Sequence, residues 1–339
     1  MENRDKIVVL LAGGRIVHRS EAEKDKEQRQ ETLLSNAELA ALLPDDLKDL
    51  TSFQEWSSQP ISNCSLRMCS DIMHMAAGYV NDEGARGVVV TCDVQGMSEL
   101  AYFADLVWGF NPPLVFTGSI FHANTPNSET SLRLGQAVRA ALSGFCAGKG
   151  ALICMGDAVY APADVISISN SRSAGVLAFP ETPLGIFLQP SGRLFPLRAP
   201  RARQAKSIDT VPARNIAIVS ASLGDGDLIL KAILDKRIEE LDGLVISAFG
   251  DGDVPSSWPP LLRKILREGV PVVLATRCPM GYVQPMDNFE GSAAQLLEMG
   301  LFSARGLTPL QARIRLAIGL GDGLKDDELR RYMDWQGEK

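Results

Sequence analysis

Short runs of valine, isoleucine and leucine, each closed by glycine or a polar turn, recur through this chain and constrain its fold more than any other feature. They occupy residues 7–12, 87–91, 114–117, 151–155, 175–179, 216–220, 244–248 and 270–275. Runs of about four to eight such residues suit strands buried on both faces. Helix-forming stretches lie between several of them, at 38–50, 65–80, 129–143, 227–240 and 257–268. Strand alternating with helix builds βαβ units around a mainly parallel sheet, so the expected class is α/β.

A break in this pattern falls near residues 195–214. The segment 196–206 (PLRAPRARQAK) is basic, poor in large apolar residues and carries two prolines. It reads as an exposed linker. The expected organisation is a larger N-terminal domain over residues 1–195, a linker at 196–214 and a smaller C-terminal domain over 215–339. Residues 19–31 are the most charged stretch, with mixed signs, and read as a solvated helix.

Composition removes several classes of function. With 34 basic against 41 acidic side chains the formal charge is −7, which offers no bulk field for a nucleic acid. No apolar run approaches the roughly 18–20 residues of a membrane span, and the N-terminal flank is too acidic for a secretory leader. The six cysteines lack CxxC spacing, and several sit inside strand-like runs. Reduced, buried thiols and a cytoplasmic address follow as expectations. GxGxxG and GxxxxGK[ST] are both absent, and three scattered histidines make no metal shell.

Ligands of open α/β sheets collect where strands end. The first such turn is Ala12-Gly13-Gly14-Arg15. Two glycines admit a ligand to the backbone, and the Arg15 fork suits a carboxylate. A tight turn with an exposed arginine accounts for the same residues. The turn at 91–99 (TCDVQGMSE) sets the Cys92 thiol, the Asp93 carboxylate and the Gln95 amide behind a buried strand. A cysteine nucleophile needs a base, and a Cys92–His122 couple is conceivable because both follow strands. A packed thiol is the plainer reading of Cys92.

In this order the turns resemble those of the bacterial L-asparaginase/glutaminase family, amidohydrolases that use threonine nucleophiles. Residues 11–17 (LAGGRIV) are similar to that family's opening TGGTIA, and 57–62 (SSQPIS) to its substrate loop. The block 89–103 (VVTCDVQGMSELAYF) resembles its second catalytic motif. Segments 113–119, 155–165, 183–186, 246–255, 276–281 and 307–313 continue the resemblance nearly end to end. It implies a two-domain α/β fold, no metal or organic cofactor, and a homo-oligomer, dimer or tetramer, whose site is completed by a neighbour's turn near Asp251.

Carried over position by position, the resemblance exposes departures. The first threonine falls at Arg15, the second at Val94, its neighbouring aspartate at Gln95, and the activating lysine at Ser167. No tyrosine occurs before Tyr79, and 127–134 holds no clear counterpart of the SxDGPxNL segment. The substrate-loop pair survives as Ser58 and Gln59. Valine brings no oxygen nucleophile, and serine supplies neither the charge nor the basicity of lysine. Three readings follow. The first is a diverged enzyme for a small amino-acid-like or carboxylate substrate, bound by Arg15, Ser58, Gln59, Gln95 and Ser119. In it Cys92, Asp93 or Ser167 provides replacement chemistry. The second is a catalytically silent binding protein, and the third a genuine L-asparaginase.

Overall fold

The computed structural model describes residues 3–20, 31–57, 59–167, 176–178, 182–189, 191–224 and 226–334. They belong to two compact units, Met1–Asp209 and Thr210–Lys339. The first opens with β1 (Ile7–Leu11), a 3-10 turn (Arg15–Val17) and the antiparallel pair β2 (His18–Ser20) and β3 (Glu31–Leu33). The helix expected at 19–31 is therefore corrected at both described ends, which pair as strands, while 21–30 lie outside the described residues.

Next come α1 (Asn36–Leu42) and α2 (Asp45–Lys48), where one helix is expected over 38–50. Pro44 divides them, because the residue before a proline is pushed out of the helical region. Ser35 starts α1 with a reciprocal capping box to Glu38. The chain continues through β4 (Thr51–Glu55), α3 (Leu66–Asn81), β5 (Gly87–Thr91), α4 (Val94–Val107), β6 (Leu114–Thr117), α5 (Thr130–Leu142) and β7 (Ala151–Met155). Then follow β8 (Ala158–Tyr160), β9 (Val165–Ser167), β10 (Val176–Ala178), β11 (Gly185–Leu188) and β12 (Arg193–Pro196).

Eight of these strands form one sheet in the order β12-β11-β8-β7-β6-β5-β1-β4. From β4 to β7 the pairing is parallel, and from β7 outward it is antiparallel. Strands β1, β5 and β7 are buried at every residue, which is why their sequences are apolar but for Thr91 at the end of β5. Helix α5 and the pair α1 and α2 cover one face through Leu134, Val138, Leu39 and Leu47.

The basic segment after β12 is not a free linker. Arg198 donates to the buried Asp164 carboxylate at 2.7 Å, and Arg203 donates to the Asp105 and Trp108 carbonyls at 2.7 and 2.6 Å. Guanidinium groups offer several donors each, and here they satisfy acceptors that the first unit leaves open. A basic composition that suggests solvent is thus consumed by internal pairing.

The second unit runs β13 (Ile216–Ser220), α6 (Leu228–Lys236), β14 (Gly243–Ala248), α7 (Pro259–Arg267) and β15 (Val272–Thr276). It ends with α8 (Ala293–Glu298), β16 (Phe302–Ser303), α9 (Pro309–Gly321) and α10 (Asp326–Met333). Its four strands are parallel in the order β13-β14-β15-β16. Buried Trp258, Leu262 and Leu296 pack against them, with the Trp258 indole donating to the Gly226 carbonyl at 3.0 Å. The class is α/β, with a larger parallel-rich sheet in one unit and a smaller parallel sheet in the other.

Candidate functional site

Strand order alone marks one place on the first sheet. From β1 the chain crosses to β4 on one side, whereas β5 leads to β6 on the other. The connections diverge between the adjacent strands β1 and β5, and a crevice opens at such a switch point beyond the carboxyl ends. Leu11 pairs with Thr91, and Thr91 with Thr117, so three strands stop level with one another. The turns that follow pack backbone to backbone. A Cβ on Gly14 would lie 2.5 Å from the Cys92 carbonyl carbon, and one on Gly118 would lie 2.4 Å from the Cys92 oxygen. Glycine is required at both because nothing larger fits.

The crevice is a cleft of about 210 Å³ lined by Gly14, Arg15, His18, Glu31, Gln59, Pro60, Ile61, Ser62, Asp93 and Gln95. Arg15 is exposed, and Nη1 donates to the Ile120 carbonyl at 3.1 Å. Glu31 accepts from His122 Nε2 at 2.8 Å. Asp93 occupies the N-cap of α4 without capping it, and Gln95 is exposed on the first turn. His18 is 4% exposed, and its Nδ1 lies 2.8 Å from the Gly14 carbonyl. Arg15, Gln59, Asp93 and Gln95 are thus brought together as a polar cluster.

Other residues singled out by sequence stand elsewhere. Val94 heads α4 with its side chain buried. Cys92 is fully buried, and burial first, then the Asp93 carboxylate, push its thiol pKa well above the ordinary value. A thiol held protonated is no nucleophile, so Cys92 is withdrawn as a source of replacement chemistry. The Cys92–His122 couple is withdrawn with it, since His122 Nε2 is engaged by Glu31. Ser119 is buried and outside the cleft lining; its Oγ accepts from the Phe121 N–H at 3.0 Å and shapes a turn. Ser167 ends β9 and meets the Ser98 hydroxyl of α4 at 3.2 Å. Ser58 lies outside the described residues.

In the second unit Asp251 is exposed in the turn after β14, and its carbonyl accepts from the Gln284 N–H at 2.8 Å. Asp253 accepts from the Ala293 N–H at 3.1 Å at the start of α8. Sequence reading missed His18 and Glu31 as cleft residues, whereas Pro60, Ile61 and Ser62 belong to the 57–62 segment matched to the substrate loop. A signal existed for His18, which follows Arg15 by three residues. Glu31 reaches the site only through the pairing of β2 with β3. Among the described residues, no group of three His, Cys, Asp or Glu side chains is arranged to hold a metal. Among them, no helix is long and apolar enough to cross a membrane.

Comparison with known proteins agrees with this architecture. Residues 6–195 match the model "Asparaginase, N-terminal", and residues 215–333 match "Glutaminase/Asparaginase C-terminal domain". The chain belongs to the asparaginase family. Among its relatives is a protein of Deinococcus radiodurans named "Probable L-asparaginase", 29% identical over 299 residues, covering 85% of this chain and 88% of that one. A "Glutaminase-asparaginase" of Pseudomonas fluorescens is 24% identical over 341 residues, covering 97% and 90%. A crystal structure described as a probable cytoplasmic L-asparaginase from Campylobacter jejuni superimposes with a TM-score of 0.82 at 20% identity, over 98% of this chain and 100% of that one. At that identity the likeness speaks for the fold.

Proposed function

We propose that this asparaginase-family protein is a diverged enzyme that takes a small amino-acid-like or carboxylate substrate into the cleft at the ends of β1 and β5. Ordinary threonine-based amide hydrolysis is absent or residual. One observation carries the reading: at the two positions where the family resemblance calls for nucleophilic threonines, the cleft holds the Arg15 guanidinium, and α4 begins with the buried Val94. The lysine position is consistent with this, since Ser167 and Ser98 pair with each other and neither supplies a base. Arg15 anchors the substrate carboxylate with the donors it does not spend on Ile120, and Gln59 and Gln95 orient it.

The names of the relatives favour a second reading, a genuine L-asparaginase. Ammonia release from L-asparagine and L-glutamine separates the two. The diverged reading expects rates at least about 1,000-fold below those of a threonine amidohydrolase, as for loss of any catalytic-triad member. Calorimetry with succinate tests the anchor, and Arg15→Ala is expected to abolish its binding. Robust ammonia release, or succinate binding indifferent to Arg15→Ala, overturns the proposal. A cytoplasmic homo-oligomer, with Asp251 offered to a neighbour, belongs to the same reading, and light scattering of the purified protein tests the assembly.

A further inference from the structure

The geometry locates a ring hydrogen of His18 in the cleft. A carbonyl oxygen can only accept, so the 2.8 Å contact to Gly14 sets the proton on Nδ1. In the tautomer this contact selects, the lone pair is on Nε2. The side chain is more than nine-tenths buried yet lines the cleft, and among the described residues no hydrogen-bond partner meets Nε2. A buried imidazole held in one tautomer, with its basic nitrogen unpartnered, is the arrangement a general base requires.

What surrounds it narrows the chemistry. Arg15, three residues earlier, opens the 3-10 turn that His18 closes as its C-cap, and stands as an anion anchor. The start of α4 lends Asp93 and Gln95 to the same cleft, and its first N–H groups, including those of Val94 and Gln95, have no acceptor inside the helix. Such donors suit a developing oxyanion. Among the described residues that line the cleft there is no threonine, and the hydroxyl present is that of Ser62. A base acting on water without a covalent intermediate serves carbonyls with good leaving groups, and alkoxide leaves far more readily than an amide nitrogen.

We propose that His18 is a general base for the hydrolysis of small carboxylate-bearing esters, such as half-esters of short dicarboxylic acids; this rests on the Arg15 anchor of the preceding section. Water attacks the ester carbon as Nε2 takes one of its protons, and the water oxygen's electron pair forms the new C–O bond. The bond to the alcohol oxygen then breaks with its electrons on that oxygen, which recovers the proton from Nε2. The products are the diacid and the alcohol, and the imidazole returns neutral.

The test offers monomethyl malonate, succinate and glutarate to the purified full-length protein and follows methanol by proton NMR between pH 5 and 9. At least one half-ester is expected to turn over at least about 100-fold above buffer. His18→Asn keeps an N–H donor for the Gly14 carbonyl and removes the base. It is expected to lower kcat at least about 100-fold, to leave KM within about threefold, and to erase the acidic limb of the pH profile. Long-range proton–nitrogen NMR on the unaltered protein, which has three histidines, reads the tautomer without any variant. A proton on Nε2, or no half-ester turned over while succinate still binds through Arg15, overturns the role of His18 and spares the anchor. Loss of Arg15-dependent succinate binding overturns the reading beneath it.

Discussion

Replacing Gly14 by alanine should damage the protein far more than the same change at Gly156, and the structure sets the size of the gap. Gly14 has φ 89° and ψ 152°, a region populated almost solely by glycine, and a side chain forced into it costs about 1–3 kcal/mol. The added methyl would also lie 2.5 Å from the carbonyl carbon of Cys92 and 2.9 Å from the Asp93 nitrogen. Both are backbone atoms that cannot rotate away, and overpacking of this kind costs roughly another 1–3 kcal/mol. The expected total is about 4 kcal/mol. Gly156, in the turn between β7 and β8, also has positive φ (57°), but nothing lies within 4 Å of an added Cβ. Alanine there should cost only about 1 kcal/mol for its left-handed backbone. With a urea m-value of about 2 kcal/mol/M, the remaining 3 kcal/mol separates the two midpoints by about 1.5 M. Urea titration followed by far-ultraviolet circular dichroism measures this directly. Midpoints within about 0.5 M of each other would refute the claim that the two strand-end turns touch through their backbones.

Thiol labelling is expected to divide the cysteines. Cys278 is exposed and should react first, with half-buried Cys64 slower. Cys69, Cys92, Cys146 and Cys154 should react only after denaturation, since burial raises every one of these thiols, Cys69 and Cys146 to about 12; labelling of Cys92 in the native protein would contradict its placement. His74 on α3 donates to Asp209 at 3.0 Å, and this bond raises its pKa above 6.5. A raised folded-state pKa contributes stability that is fully present below about pH 6.5 and lost as pH climbs through the folded value. His74→Gln should therefore destabilise the protein at pH 6, by no more than about 1 kcal/mol for so exposed a pair, and leave stability unchanged at pH 8.5. An equal loss at both pH values would point to packing instead.

The parts of the fold that local chemistry determines were readable in the chain. Fully buried β1 and β7 are apolar at every position and β5 at all but its closing Thr91, so their limits follow from composition alone. Edge strand β4 escaped because Phe53 is the one apolar side chain among its five residues, which include no Val or Ile. The antiparallel extension β8, β11 and β12 is made of strands of three or four residues, too short for a period to show. The cleft was half legible. Arg15, Asp93 and Gln95 follow strands directly and were found by that rule. Glu31 depends on a hairpin closed across an intervening segment, and the distinction between buried Val94 and exposed Gln95 depends on helix phase. Ser119 stands outside the described lining, and its hydroxyl serves a turn, as hydroxyls after strands readily do.

The arginines of the segment after β12 bear on where this gene can be cut. Arg203 fills the Asp105 and Trp108 carbonyls at the end of α4, and Arg198 neutralises the buried Asp164. A fragment ending at Pro196, where strand pairing stops, would leave an uncompensated buried carboxylate and two vacant acceptors in the half that carries the cleft. The shortest piece able to stand alone therefore ends near Asp209, and a domain exchange between relatives should place its crossover there. A protease directed at this arginine-rich stretch meets a chain tied down by the backbone at Leu197, Arg198 and Lys206 and by the side chains of Arg198 and Arg203, so limited digestion should be slow at Arg198 and Arg203.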